Sequence, residues 1–143
     1  MNQLDLAEFL HERATKAARG ETRTRLFREA RAAYQASAQL DETIPETHLM
    51  YGRTFLEPGE DAAKAIAPIE RAYRQLPAHE FAIVSLAEAY LANRREGDAR
   101  AVLHRATLTG GHASSSSTVE ESITDIHEER MKAVEEYENP DSE

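Results

Sequence analysis

The chain has 143 residues, of which 41% are hydrophobic and 30% are charged, and its formal net charge is −9. This length suffices for one domain with a continuous core, and no apolar run approaches the ~18 residues of a membrane-spanning helix. The chain contains no cysteine, which excludes disulfides, thiolate nucleophiles and cysteine-based zinc sites.

Apolar residues at spacings of three and four predict helices along almost the whole chain. Gly20, the turn at 41–45, Pro58-Gly59 and Asn139-Pro140 separate or end them. We expect Thr22 to cap the second helix. The predicted helices cover about residues 2–18, 23–40, 45–57, 61–76, 79–93, 97–109 and a seventh segment from 118.

Pro68 lies inside the fourth predicted helix. A proline in a helix interior removes one backbone hydrogen bond and costs ~3 kcal/mol in an unsupported helix. The apolar pattern continues on both sides of Pro68, so we expect one helix with a local kink.

The last third of the chain changes in composition. Residues 112–117 are mainly serine and predict a flexible linker. Thr118 and Glu121 form a capping box that predicts the start of the seventh helix. Residues 118–143 carry ten acidic and two basic residues, which leaves a net charge of −1 for the rest of the chain. We therefore expect a nearly neutral body followed by an acidic C-terminal helix and tail.

Two segments of the chain repeat each other at an offset of 34 residues. Small and large residues recur in the same order, as Ala65-x3-Ile69-x2-Ala72-x4-Pro77 and again as Ala99-x3-Leu103-x2-Ala106-x4-Gly111. Ahead of these stand Tyr51-Gly52-x2-Phe55 and Leu86-Ala87-x2-Tyr90. A period of this length predicts stacked helical hairpins that share one core.

These residues resemble the tetratricopeptide repeat pattern W-x2-L-G-x2-Y…A-x3-F-x2-A-x4-P. His48 and Ile83 replace its tryptophan, and Gly111 replaces the last proline. Ala30, Tyr34 and Ser37 fit a divergent first unit. The resemblance implies an all-α, right-handed stack of antiparallel helix pairs. The units would span residues 1–44, 45–77 and 78–111, with 118–143 as a capping helix and tail.

The resemblance also implies a concave groove, lined by the first helix of each pair, that receives a peptide or a partner helix. The groove positions are Leu49, Arg53, Leu56, Phe81, Val84, Ser85 and Glu88. In the first unit they are Glu8, Glu12 and Lys16. One family subtype binds the C-terminal carboxylate of a peptide with lysine and asparagine side chains. In this chain the corresponding positions hold Leu49, Arg53, Val84 and Glu88, which argues against a peptide C-terminus as the ligand.

Catalytic motifs are not visible in the sequence. The six histidines are His11, His48, His79, His104, His112 and His127. None pairs with another at i, i+4, the spacing that places two metal ligands on one helix face. No phosphate loop, nucleophile elbow or dinucleotide fingerprint occurs. We therefore expect neither an enzyme, a bound metal nor a cofactor.

Nucleic acid and anionic membranes are also disfavoured as partners, because both bind cationic patches. The best basic candidates, Arg94, Arg95 and Arg100, are interleaved with Glu96 and Asp98. The sequence thus predicts a non-catalytic protein–protein adaptor. Two alternatives remain: a self-associating module that exchanges its C-terminal helix between copies, forming a homodimer, and the regulatory end of a larger enzyme.

The expected location is the cytoplasm. No basic segment followed by an apolar segment stands at the beginning of the sequence, as it would in a secretory signal. A domain cut from a longer exported protein would look the same.

Overall fold

The structure, a computed structural model, describes residues 2–17, 21–109 and 116–138, with the side chains of all but 107–109 and 116–118. Within these ranges the regular structure is helical, without strands. The elements are α1 (Gln3–Lys16), α2 (Glu21–Leu40), α3 (Pro45–Arg53), a 3₁₀ turn (Thr54–Leu56), α4 (Ala63–Gln75), α5 (Glu80–Ala92), α6 (Glu96–Thr109) and α7 (Ser116–Glu138). The all-α prediction is confirmed for this part of the chain.

The helices contact one another largely in chain order. The pairs α1 with α2, α3 with α4, and α5 with α6 make the most extensive contacts. Neighbouring pairs meet where α2 contacts α3 and where α4 contacts α5. Helices α3 and α5 also touch directly, and α7 packs on α6 with a smaller contact on α5. The predicted site helices α3 and α5 therefore lie side by side.

Small residues permit the close approach of helices within the second and third pairs. A Cβ atom added at Gly52 would lie 2.6 Å from Ile69 Cγ1 and 3.1 Å from the carbonyl oxygen of Ala65. In the third pair, Ala87 and Ala99 are both fully buried. The repeated small positions of the sequence are therefore packing positions, where a larger side chain would force the helices apart.

The main core extends from α3 to α7. It combines large side chains of α5, such as Leu86, with Ile69 of α4, Val102 of α6 and Ile123 of α7. The first helix pair has two smaller clusters, one around Tyr34 and the other around Leu26 and Phe27. Met50 and Tyr51 of α3 pack against the Tyr34 cluster. The first pair thus joins the body through α3.

Local signals explain several helix ends. The Asn2 side chain accepts a hydrogen bond from Asp5 N at 2.7 Å and caps α1. His79 caps α5 by accepting from Ala82 N through Nδ1. Beyond α5 the backbone enters the left-handed region at Arg94, with φ of 60°, and Arg95 N donates to Tyr90 O at 2.8 Å. This return bond satisfies a carbonyl at the end of α5.

The third helix ends earlier than the predicted boundary at Glu57. The α-helix stops at Arg53 and continues as the 3₁₀ turn. Thr54 Oγ1 donates to Tyr51 O at 2.6 Å, and Glu57 is extended, with ψ of 145°. A residue before proline is disfavoured in the α conformation, so Pro58 explains why the 3₁₀ turn ends at Leu56 and does not include Glu57. In contrast, Pro68 lies inside α4, so the helix there continues as predicted.

Two predicted caps are wrong. Helix α2 begins at Glu21 and α7 at Ser116, so Thr22 and Thr118 lie inside helices and cannot be N-cap residues. The predicted linker at 112–117 is also too long, because 116 and 117 are helical. Serine is only mildly unfavourable in a helix, so the first turn extends into the serine run. Gly20, the rest of that linker and the predicted stop at Asn139-Pro140 lie outside the described residues.

None of the helices in the described ranges combines the length and apolarity needed to cross a lipid bilayer.

Replacing Gly52 with alanine tests the close approach in the second helix pair. Because its Cβ would lie within 3.1 Å of the Ala65 backbone, we expect Gly52→Ala to lower the free energy of unfolding by about 1–3 kcal/mol. Gly97 has no atom within 4 Å of such a Cβ, so Gly97→Ala should leave stability equal or higher. Urea titration followed by circular dichroism measures both, and equal effects would contradict the proposed close approach.

Candidate functional site

The seven predicted groove residues lie on α3, the 3₁₀ turn and α5, but they differ in accessibility. Leu49, Leu56 and Ser85 are buried. Because they are buried, these three residues cannot present surface to a partner, which corrects their predicted role as exposed groove residues. Of the remaining four residues, Phe81 is the most accessible, with 43% of its surface exposed, and Arg53, Val84 and Glu88 are partly buried.

Arg53 connects α3 with α5. Its Nη1 atom donates to Ser85 Oγ at 2.9 Å and to Glu88 Oε1 at 3.3 Å. Its guanidinium also lies over the Phe81 ring, 4.8 Å from the centroid. A planar cation held by these three neighbours has little rotational freedom. The predicted groove positions on the two helices are therefore in contact with one another.

Glu88 also pairs with a residue of α7. Its second oxygen, Oε2, lies 3.4 Å from Nη1 of Arg130, and the same nitrogen donates to Leu56 O at 3.3 Å. All three side chains of the Arg53–Glu88–Arg130 chain are less than a quarter exposed. Because the screening of partly buried charges is weak, each charge needs its partner. Helix α7 thus lies against the predicted groove.

A second ion pair lies next to this one. Arg23, at the start of α2, donates from Nη2 to Glu57 Oε1 at 3.2 Å and from Nη1 to Ala14 O at the end of α1. Burial raises the pKa of Glu57 above its ordinary value, and the positive charge of Arg23 opposes only part of that rise. We call the five side chains together the groove ion network: Arg23, Arg53, Glu57, Glu88 and Arg130.

Arginines of α2 also hold the loop that follows the 3₁₀ turn. Arg28 and Arg31 both pair with Glu60, at 3.1 and 3.3 Å. Arg31 donates further to Thr54 O at 3.0 Å and lies over the Phe55 ring, 3.9 Å from its centroid. The loop between α3 and α4 is thereby fixed to α2, which positions Glu57.

Helix α7 is anchored by apolar residues at its beginning. Val119, Ile123 and Ile126 are buried in the main core, and Glu120 forms an ion pair with Arg100 of α6. At the other end, a Cβ added at Gly59 would lie 2.6 Å from the Tyr137 hydroxyl. The helix therefore extends from the last helix pair across Glu88 to the loop after the 3₁₀ turn.

Two cavities lie beneath the second part of α7. One of about 170 Å³ is lined by the groove ion network together with Leu56, Pro58, Ile126, Glu129, Ala133 and Val134. The other, of about 50 Å³, is lined by residues of α2 and of the loop at 57–60, and by Ala133, Glu136 and Tyr137 of α7. Ala133 and Pro58 line both cavities, so this part of the interface is incompletely packed.

The predicted groove positions of the first unit lie apart from this network. Lys16 pairs with Glu12 at 2.8 Å on the exposed side of α1, and a shallow pocket includes both, with Glu8, His11 and Met50. His11 makes edge-on contacts with the rings of Phe27 and Tyr34, and its buried Nδ1 atom has no hydrogen-bond partner among the residues that the structure describes.

Several of the chain's histidines and carboxylates are engaged in contacts within the fold. His79 caps a helix, and His48 Nε2 lies 3.0 Å from Glu42 O. Across the described ranges, no group of three or more histidine, aspartate or glutamate side chains is placed to hold a metal ion. The carboxylates of the groove ion network are paired with arginines.

Sequence reasoning did not place Arg23, Glu57 or Arg130 in the site. For Arg130 a signal was present: it follows Ile123 and Ile126 at spacings of seven and four, on the apolar stripe of α7. A single positively charged residue on an otherwise apolar helix face indicates that a buried hydrogen-bond acceptor lies on the element packed against that face. Arg23 and Glu57 carried no comparable signal.

Comparison of the chain with models of protein families, with curated proteins and with solved structures gave no match.

A double-mutant cycle tests the Arg53–Glu88 pair. Each single change, Arg53→Met or Glu88→Gln, removes one partner of a partly buried charge, so we expect each to cost about 1–3 kcal/mol of unfolding free energy. The double variant should cost less than the sum, by about 1 kcal/mol or more. The exposed Arg95–Asp98 pair, at 2.7 Å, is the control, and we expect no measurable coupling there. Equal coupling in both pairs, measured by urea titration, would contradict this.

The pH dependence of stability tests His11. Burial, followed by the charges of Arg53 and Arg23, lowers the pKa of His11 below 6.5 in the folded chain. The unfolded chain then takes up the proton first, so the free energy of unfolding falls as the pH drops below about 6.5.

In the His11→Leu variant, the part of the pH dependence that comes from His11 should be absent. The change in unfolding free energy between about pH 7.5 and 5.5 should therefore be smaller than in the unsubstituted chain. His127→Gln, at an exposed position of α7, controls for the loss of an imidazole. An identical pH dependence in His11→Leu and the unsubstituted chain would show that His11 titrates normally.

Proposed function

We propose that the chain is a non-catalytic adaptor, built as a stack of three tetratricopeptide-like helix pairs, that binds a peptide or a partner helix on the face formed by α3 and α5. The buried small residues at matched positions, Ala65 and Ala99, support the stack. So do the contacts in chain order between successive helix pairs. The division into units at 1–44, 45–77 and 78–111 stays a prediction.

The exposed aromatic ring of Phe81 beneath Arg53 is the observation that carries the proposal. An accessible aromatic and an arginine, placed together on a rigid helix face, are residue types enriched at the energetic centres of protein interfaces. Val84 lies one turn further along α5 and extends the apolar surface. Because Leu49, Leu56 and Ser85 are buried, we assign them to packing and assign partner contact to Phe81, Val84, Arg53 and Glu88.

The contacts of Arg53 hold its side chain in one position before a partner binds. Its guanidinium is held by Ser85, Glu88 and the Phe81 ring. A side chain that is already ordered loses less conformational entropy when a partner docks. A partner acceptor that reaches Arg53 would therefore meet a donor fixed in position.

Self-association is the second candidate, and one observation favours it. Helix α7 supplies Val119, Ile123 and Ile126 to the core, and only residues 110–115 separate it from α6. The same helix from a second copy could fill the same site, which is the usual route to a swapped dimer. Light scattering separates the two, because a swapped dimer persists on dilution and a monomeric adaptor shows one mass at all concentrations.

Replacing Phe81 with alanine tests the adaptor proposal. A helical peptide selected from a display library on the unsubstituted chain should bind Phe81→Ala at least about tenfold more weakly, because a central aromatic contact is lost. Phe9 is the matched control: it is 46% exposed and also lies beneath an arginine, Arg13. Phe9→Ala should bind the peptide with unchanged affinity in fluorescence anisotropy.

Both variants should retain the helical circular dichroism of the unsubstituted chain. Peptides that bind Phe81→Ala and Phe9→Ala equally well would place the binding surface elsewhere and overturn the assignment to α5.

A further inference from the structure

Helix α7 holds the body differently in its two parts. In the first part, Val119, Ile123 and Ile126 are all buried. In the second part, Met131 is 67% exposed, and Ala133 and Val134 are only partly buried. Arg130 of this part donates to the Leu56 carbonyl oxygen at 3.3 Å and to Glu88 Oε2 at 3.4 Å. The first part is thus a buried structural anchor, and the second part covers the body less completely.

The packing beneath the second part of α7 is also incomplete. Clefts of about 170 Å³ and about 50 Å³, both partly open to solvent, lie where α7 crosses the groove ion network. Atoms of α7 that line these clefts have fewer protein neighbours than atoms of a fully packed interface, so they gain less dispersion energy. Ala133 lines both clefts, and its methyl group is too small to fill either.

We propose that a partner displaces residues 127–138 of α7 from the groove, and that this partner is an amphipathic helix. Its side chains resemble those of α7 but fill the groove more completely. The partner carries a cation where Arg130 lies and a large apolar side chain where Ala133 lies. This inference rests on the proposed adaptor function and names the class of partner for the same face.

The required cation follows from the groups that α7 would uncover. Arg53 satisfies only one oxygen of Glu88. When Arg130 leaves, Glu88 Oε2 and the Leu56 carbonyl oxygen lose their donor. Covering two such acceptors again without a donor is unfavourable, so an incoming helix must bring an arginine or a lysine to this position.

The required apolar residue follows from the walls of the clefts. Leu56 and Pro58 line the larger cleft from the side of the body, and Phe27 lines the smaller one. A leucine three residues after the cation lies on the same helix face and replaces the alanine methyl with a side chain that reaches these walls. The recognition pattern is therefore a cation followed at i+3 by a large aliphatic residue.

A labelled peptide of residues 127–138 with Ala133→Leu is the probe. A hydrocarbon staple that replaces the exposed Glu128 and Lys132, four residues apart, keeps this short helix folded. Binding to the full chain is measured by fluorescence anisotropy. The same peptide with Arg130→Glu is the control and should not bind, because it brings a carboxylate against Glu88.

Substitutions in the chain's own α7 should change the affinity for the probe in opposite directions. Arg130→Ala weakens the resident segment, so the probe should bind about tenfold more tightly than to the unsubstituted chain. Ala133→Leu improves the resident segment, so the probe should bind at least about threefold more weakly. Lys132→Ala, at an exposed position, should leave the affinity unchanged.

Crosslinking provides a test that needs no change in the ion network. The chain has no cysteine, so Pro58→Cys with Ala133→Cys introduces a single pair, at two positions that line the same clefts. A short bismaleimide bridge between them should abolish probe binding, and the unbridged double variant should retain it.

Equal affinity for all chain variants, or binding to the bridged chain, would overturn the inference. The adaptor proposal would still stand in that case if library peptides kept their dependence on Phe81. Loss of that dependence would instead remove the adaptor proposal itself, so the two failures are distinguishable.

Discussion

The close approach of two helix backbones at Gly52 is the constraint on which the second helix pair depends. There is no room for a Cβ atom between Gly52 and the side chain of Ile69. This approach places α4 directly against α3, which in turn places the Arg53 side chain next to α5. In the third pair, Ala87 and Ala99 occupy corresponding buried positions. Small residues thus set the distances from which the geometry of the candidate site follows.

The groove ion network provides a second level of organisation, because its five members come from four helices and one loop. Arg23 belongs to α2, Arg53 to α3, Glu57 to the loop after the 3₁₀ turn, Glu88 to α5 and Arg130 to α7. Partly buried charges of this kind add little net stability, since the loss of hydration offsets their attraction. They do penalise any arrangement in which one partner is missing. The network therefore specifies how the helices are placed relative to one another more than it adds to overall stability.

Much of the helical pattern could be predicted, because periodicity, proline and glycine act locally. The burial of Leu49, Leu56 and Ser85 could not, because it depends on which other helices pack against α3 and α5. The caps at Thr22 and Thr118 failed for a related reason: a threonine shortly before an apolar stripe fits a helix interior as well as a cap. Sequence patterns define which helix faces are apolar, but they do not say which other helix covers each face.

The unequal packing of α7 fits the proposal that one helix contributes to both stability and recognition. Its first part supplies Val119, Ile123 and Ile126 to the main core, so its loss would remove these side chains from that core. Its second part leaves clefts over the surface that it covers. When Arg130 moves away, Glu88 Oε2 and the Leu56 carbonyl oxygen on that surface are left without a hydrogen-bond donor. A better-packed second part would stabilise the folded chain, but it would raise the free energy needed to uncover the groove by the same amount. Incomplete packing over Leu56 and Glu88 is therefore what a displaceable segment requires, and complete packing at Ile123 keeps that segment attached to the fold.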